Sequence, residues 1–405
     1  MGTTHRNHTD FKRRNAHRQS QRLSHAAGVS GSYRPDLLPA VEVGLTSLRV
    51  GSRRLRVLEE AVVERPFARL IKFDTDFSSE KPTTLIVAPL SGLRTALLYD
   101  MVGALMPDHQ VHLLAWRDAA DVAVSAGPFG IDGNIDYVID SIRRLQARVH
   151  LIALCQSAVP ALAATALLED LDPGLCPLTL TLIGAKLDTR INPTGLDCLT
   201  RSHSIDWFRQ NAVTSVMPSK LGEGRSIYAS CTQATSILAY LARHFSTGGE
   251  LCRKAFADDG SDLESHPFLP LFLAVMNVPG ELFLDMISLL FHEFALPRGL
   301  LHWRGTTVDP SAIRRTALLT IEGADDDISG LGQARVAHAL CTGVPSSRHE
   351  HYEQPGVGHF GLFHGRAWRE EIMPRIRTFV RVEQSSRPHS AGDERSRKSH
   401  NEPSA

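Results

Sequence analysis

Between about residues 85 and 183 the chain alternates short apolar runs with longer stretches of helical period. The runs are TLIVAP (84–89), VHLLAW (111–116), VHLIAL (149–154) and LTLTLIG (178–184), and helical patterns near 93–106, 133–147 and 158–169 separate them. This alternation predicts a parallel sheet with crossover helices. Because the runs are apolar throughout and do not alternate with polar residues, both faces of each strand should be covered, as helices on both sides of a sheet would do. From about 190 to 305 the rhythm stops. WFRQNAV, SILAYLARHF, LFLAVM and LFLDMISLLFHEF repeat aromatic and apolar positions at helical spacing with no comparable strand, which predicts an inserted helical cap. Strand character returns at 315–323 and 348–354, with a helix between them near 330–341 and a last helix at about 366–382. The economical arrangement closes the same sheet, giving an α/β fold with a mostly parallel sheet and helices on both faces.

Composition limits what this fold can do. Residues 1–35 hold seven Arg or Lys against one acid, and 384–405 is a polar Ser/Arg/Glu stretch. Both read as disordered tails, leaving 36–383 as one catalytic-sized domain with its cap at about 190–305. The 44 basic and 44 acidic residues balance, so the molecule has no electrostatic reason to seek nucleic acid or an anionic membrane. The richest apolar stretch, HLIALCQSAVPALAATALLED (150–170), is interrupted by Gln156, Ser157 and Pro160, and reads as a core element instead of a membrane span. Six cysteines (155, 176, 198, 231, 252, 341) lie scattered without CxxC pairs, and no apolar signal segment follows Met1. That pattern fits a reducing cytoplasm.

The same stretch carries the candidate chemistry. A strand that turns within one residue into a helix is the arrangement of a nucleophile elbow, which holds its central residue in a strained conformation and needs small residues two positions before and after. Centred on Cys155 those positions are Ala153 and Ser157; centred on Ser157 they would be Cys155 and Val159, and the branched valine fits poorly. No GxSxG serine occurs elsewhere. Pro160 falls in the first turn of the following helix, where it costs no hydrogen bond, and the helix dipole there favours a thiolate.

A cysteine nucleophile needs a base, and the base needs a carboxylate to hold its tautomer. In α/β hydrolases the chain order is nucleophile, acid, histidine. IEGADDDISG offers Asp325, Asp326 and Asp327 in the loop after a late strand, and PGVGHFGLF offers His359 between glycines after the final strand. Spacing alone does not choose among the aspartates, one of which could instead cap a helix near Gly330. His349 and His351 flank Glu350 on one face of a strand pattern, but a third ligand is not apparent and the chemistry calls for no metal or cofactor.

Taken together, VAPLSG (87–92), WRDAADVAVSAGPFGIDGNIDYVID (116–140), LIALCQSAVPALAATAL (151–167), DTRINPT (188–194), the stretch from ALPRG to LGQ (295–333) and QPGVGHFGLFHGRAWREEIMPRIRTF (354–379) resemble the intracellular poly(3-hydroxybutyrate) depolymerases. These are cysteine-type α/β hydrolases related to the polyhydroxyalkanoate synthases. The resemblance runs from about Leu85 to Arg381. It implies Cys155 as nucleophile, Asp326 as acid, His359 as base, and an oxyanion hole from the backbone N–H of Gln156 and of Leu90 or Ser91. It also implies that the substrate is amorphous polymer on storage granules and its 3-hydroxybutyrate oligomers, in the cytoplasm. The chain departs from the family in Ser157, where proline usually follows Cys-Gln, in GAKLD (184–188) for a glycine-rich segment, and in GHFG for GHYG. A synthase-like acyltransferase, which would set its cysteine in a Gly-x-Cys-x-Gly-Gly context, an inactive granule-binding protein and a soluble-ester hydrolase are the rival expectations. The oligomeric state leaves no signature.

Overall fold

The computed structural model describes residues 45–385 apart from 51–52, 76–80, 94, 147, 250, 252–271 and 273. The tail at 1–35 and nearly all of that at 384–405 lie outside the described residues. The first strands are β1 (Ser47–Val50), β2 (Arg53–Glu64), β3 (Ala68–Thr75), β4 (Thr83–Val87) and β5 (Gln110–Trp116). They are followed by β6 (Val149–Leu154), β7 (Thr179–Ile183), β8 (Val213–Ser215), β9 (Ser226–Tyr228) and β10 (Val278–Pro279). The last are β11 (His302–Trp303), β12 (Thr306–Thr307), β13 (Ala317–Gly323) and β14 (His349–Gln354). Among the described residues the central sheet runs β1-β2-β3-β5-β4-β6-β7-β13-β14. From β5 through β14 every neighbour pair is parallel, while β1, β2 and β3 join antiparallel at one edge.

Burial follows the predicted pattern. All six residues of β6 are buried, with Leu151 and Ala153 facing one apolar core and Ile152 and Leu154 the other. The helices supply those cores: α1 (Tyr99–Leu105) covers one face with the C-terminal helix, and α2 (Ile131–Leu145) and α3 (Ala158–Leu171) cover the opposite face. Helix α2 is amphipathic, burying Ile135, Val138, Ile139 and Ile142 while Arg143 and Arg144 point outward. Helix α3, which packs on α2 and on β6, is apolar nearly all round because both of its sides are covered.

Between β7 and β13 lie α4 (Gly195–Arg201), α5 (Ile205–Asn211), α6 (Ser230–Thr247) and α7 (Gly280–Ile287). The helical character expected there is present, but the expected absence of strands is not. Strands β8, β9 and β10 form a small antiparallel sheet and β11 and β12 a hairpin. These strands are two or three residues long, too short to show a period. A second difference is at 330–341, where turns carry the chain and only α8 (Ala337–Leu340) is helical. Gly332 holds a positive φ of 92°, and a side chain at Gly330 would press on the Asn192 carbonyl, so this loop is moulded against the chain near 192. Helix α9 (Met373–Ser385), entered through a short wide-turned helix at Trp368–Ile372, ends the described chain.

Candidate active site

At the C-terminal end of β6 the backbone reverses at Cys155, whose φ is +54°. A non-glycine residue held there is strained, and the fold must supply the restraint. Ala153 and Ser157, the two positions required to be small, are both fully buried. Ser157 also clamps the turn: its hydroxyl accepts the Leu154 N–H at 2.9 Å and lies 2.7 Å from the Leu154 carbonyl and 3.0 Å from the Val87 carbonyl of β4. The departure from proline at this position therefore puts a hydrogen-bonding group where strand β4, strand β6 and helix α3 meet. A single turn at Cys155–Ser157 leads into α3, so the N–H of Gln156 belongs to a first helical turn and has no partner within the helix.

The loops that carry Asp326 and His359 meet over this corner. His359, after β14, is 4 % exposed, and its Nδ1 lies 2.7 Å from Asp326 Oδ2 in the loop after β13. The other oxygen of Asp326, Oδ1, accepts the N–H groups of Ile328 and Ser329, each at 2.8 Å. The imidazole's other influential neighbour is Cys155, close enough to act on its charge. Burial, the largest influence on His359, favours its neutral form. The negative charge of Asp326, with its hydrogen bond, and the neighbouring Cys155 outweigh that and raise its proton affinity well above the ordinary histidine range.

The neighbouring aspartates sit elsewhere. Asp325 is exposed, and its N–H bonds the Val357 carbonyl, which ties the acid loop to the histidine loop. Asp327 turns away to α6, where it accepts the Tyr240 hydroxyl at 2.6 Å and pairs with Arg243 and His244. Of the three, Asp326 alone contacts the imidazole among the described residues. Gly184, closing β7, explains the packing on the remaining side: its φ is +53°, and a Cβ there would come within 3.0 Å of His359 Cε1.

Leu90 and Ser91 lie in the loop after β4 that approaches this corner. Gly92 beside them has φ +72°, and any side chain there would collide with the carboxamide of Gln233. The Gly92 carbonyl accepts the Met276 N–H at 2.8 Å, and Gln233 Nε2 donates to the Met276 carbonyl at 2.8 Å. The loop is thus latched to α6 and to the strand-like segment before β10. Sequence reasoning missed Gln233, Met276 and the clamping role of Ser157; the only signals were the glycine of VAPLSG and the small residue after Gln156.

His338 joins the histidines at 349 and 351. His338 Nδ1 is 2.9 Å from His349 Nδ1, and Thr320 Oγ1 lies 2.8 Å from both His338 Nε2 and His351 Nδ1. Among the described residues no group of three or more His, Cys, Asp or Glu is arranged to hold a metal ion. Nor is any described helix long and apolar enough to cross a membrane.

Residues 184–384 match the protein family described as PHB de-polymerase C-terminus. This part of the chain is similar to that family. Its match begins at Gly184 and so takes in Asp326 and His359, while Cys155 precedes it. No curated protein matches the chain. Solved structures similar to it include a hydrolase from Pseudomonas aeruginosa PA01 at 13 % identity, covering 82 % of this chain and 99 % of that one with a TM-score of 0.45. A carboxylesterase structure from Nitrososphaera gargenis is 11 % identical over 84 % of this chain and 100 % of that one, with a TM-score of 0.45. The enol-lactonase from Burkholderia xenovorans LB400 is 12 % identical over 82 % and 99 %, with a TM-score of 0.40. The chain is a carboxylic ester hydrolase with the α/β-hydrolase fold.

Proposed function

We propose that this protein hydrolyses ester bonds of amorphous poly(3-hydroxybutyrate), with Cys155 as nucleophile, His359 as general base and Asp326 as the carboxylate that orients it. One observation carries the reading: a cysteine at positive φ on a strand-to-helix corner, facing a buried histidine that is bonded 2.7 Å from a buried aspartate. The raised proton affinity of His359 suits it to take the proton that Cys155 must give up to react.

In this mechanism the Cys155 sulfur attacks the ester carbonyl and the carbonyl oxygen becomes an oxyanion. The N–H of Gln156 and that of Leu90 or Ser91 are the donors we assign to it. Collapse breaks the C–O bond, and His359 gives its proton to the departing alkoxide, releasing a hydroxyl-ended chain and leaving a 3-hydroxyacyl thioester on Cys155. Water, deprotonated by His359, attacks the thioester, and the thiolate leaves as the acid product forms.

The domain we assign to this chemistry is 36–383, with the segment at about 190–305 as its roof. Leu196, Leu199, Trp207, Met217 and Leu221 of that roof are exposed by 42–75 %. Apolar side chains exposed in such number support contact with a polyester granule surface. The test is release of 3-hydroxybutyrate from protein-free amorphous granules by the wild type and by folded Cys155→Ala. Release by the wild type alone supports the reading. Equal release by both removes Cys155 as nucleophile, and silence from both, with binding retained, points to a granule-binding protein.

A further inference from the structure

Two residues beyond Gly184, Lys186 has no exposed side-chain surface at all, and neither does its partner Asp197 in α4. A lysine buried that deeply without a partner would give up its proton. Here the ammonium is paired with Asp197 and donates a second bond to the Ile328 carbonyl, and it stands 5.4 Å from the centre of the Phe291 ring. Asp197 is saturated as well, accepting the Thr194 N–H at 2.9 Å and Gln333 Nε2 at 2.8 Å.

A buried ion pair is an uneconomical stabiliser, because apolar residues of similar volume often serve as well. What it offers that they cannot is a directional donor, and this donor is aimed at the acid loop. The peptide whose carbonyl Lys186 grips follows directly on the Ile328 N–H that, with Ser329 N–H, bonds Asp326 Oδ1 at 2.8 Å. The opposite oxygen of Asp326 meets His359. A continuous line therefore runs from the ammonium through Ile328 and the Asp326 carboxylate to the imidazole. If the ammonium is removed, the Ile328 carbonyl keeps the longer 3.3 Å bond from Thr194 Oγ1.

We propose that Lys186 is a positioning residue, which holds the turn at 326–329 so that Asp326 faces His359. This rests on the Cys155, His359 and Asp326 roles proposed above. Lys186 occupies the GAKLD segment, where the chain departs from its family's glycine-rich pattern, so the device is specific to chains with a cation at this position.

The test uses the full-length protein with two readouts: hydrolysis of a soluble 4-nitrophenyl 3-hydroxybutyrate ester, and the pH dependence of Cys155 alkylation by iodoacetamide. Alkylation is read on the Cys155 peptide because Cys198 and Cys231 are exposed. A loosened Asp326 makes His359 less basic, so the thiolate forms only at higher pH. Lys186→Met should lower kcat about 10- to 100-fold with KM within about threefold, as for a displaced catalytic group. It should also move the acid limb of alkylation up by about one pH unit or more. Lys186→Met leaves a buried carboxylate alone, so Lys186→Met/Asp197→Asn, which removes both charges, is measured beside it and should show the same limb. A folded double variant with wild-type kcat and limb overturns the proposal, and so does a lowered melting temperature with an unmoved limb. If the wild type shows no Cys155-dependent ester cleavage, the functional reading fails by itself, while the alkylation limb, which needs no substrate, still decides the role of Lys186.

Discussion

Asp326→Asn changes one charge and almost no volume, so it isolates what the carboxylate does. In the native site Asp326 Oδ1 accepts two N–H groups and Oδ2 faces His359 Nδ1 at 2.7 Å. The carboxamide keeps its oxygen on the two N–H donors, since turning it would set its NH₂ against them. Its nitrogen then faces Nδ1 as a donor. That forces the imidazole to carry its proton on Nε2, where it cannot accept one from Cys155. The lost bond to a charged group is worth about 1.5–3 kcal/mol, or about 10- to 150-fold in rate, and the wrong tautomer adds to it. The expected fall in kcat/KM is therefore about 10²- to 10⁴-fold, measured on the soluble 4-nitrophenyl ester with folding checked by circular dichroism. Stability supplies a second readout. His359 has its proton affinity raised in the folded state, so its contribution is complete below the unfolded value near 6.5 and is lost as pH rises through the raised folded value. The difference in stability between wild type and variant should thus be largest in mild acid and shrink in alkali. Activity within threefold of wild type would refute the assignment of Asp326 as acid. So would an equal loss in Asp327→Asn, which should instead keep its kcat and lose stability through its bonds to Tyr240, Arg243 and His244.

Two further outcomes follow from the packing. Gly184→Ala places a Cβ 3.0 Å from His359 Cε1 on a residue at φ +53°, and should cost about 1–3 kcal/mol of stability while lowering kcat beyond what stability accounts for. Urea unfolding beside initial rates separates the two, and unchanged kcat would contradict the placement of the imidazole against Gly184. In acid, His109 and His112 are among the groups that weigh against the fold. Burial holds both imidazoles down at about 4. Their contribution is complete above the unfolded value near 6.5 and is lost as pH falls from there toward 4, by up to about 1–3 kcal/mol each. A urea midpoint that does not fall between pH 6.5 and 4 would count against this, and His109→Gln should flatten the slope.

The central sheet was legible because its strands are buried on both faces and bear that in their composition. VHLIAL and LTLTLIG have no polar side to hide, and their alternation with amphipathic α2 leaves few other packings. The edge strands were not legible for the opposite physical reason. Strand β2, RRLRVLEEAVVE, is largely exposed and mixes charge with apolar residues without a period of two, so nothing in it marks a strand until β3 pairs with it. Within the site, Cys155 could be picked out because a corner demands small neighbours on a local spacing. The choice among Asp325, Asp326 and Asp327 was open to spacing, since residues adjacent in a tight loop point in different directions and only the folded loop shows that one reaches His359 while another reaches α6.

The contacts that sequence could not show share a direction: they join the loops of the proposed site to the segment inserted between β7 and β13. The loop carrying Leu90 and Ser91 is latched at Gly92 to Met276 and Gln233. The acid loop is held through Asp327 by Tyr240 and Arg243 of α6, and through the Ile328 carbonyl by Lys186, whose partner Asp197 lies in α4. Even the turn before α2 is fixed from there, since Asp285 of α7 accepts the Ile131 N–H at 2.9 Å. The sheet alone sets Cys155 at its corner, but the groups that would act on it are aimed by the insertion. A lid that merely covered a finished site would not need these bonds. The insertion is therefore part of the scaffold of the site, and changes in it should alter the chemistry as well as the choice of substrate.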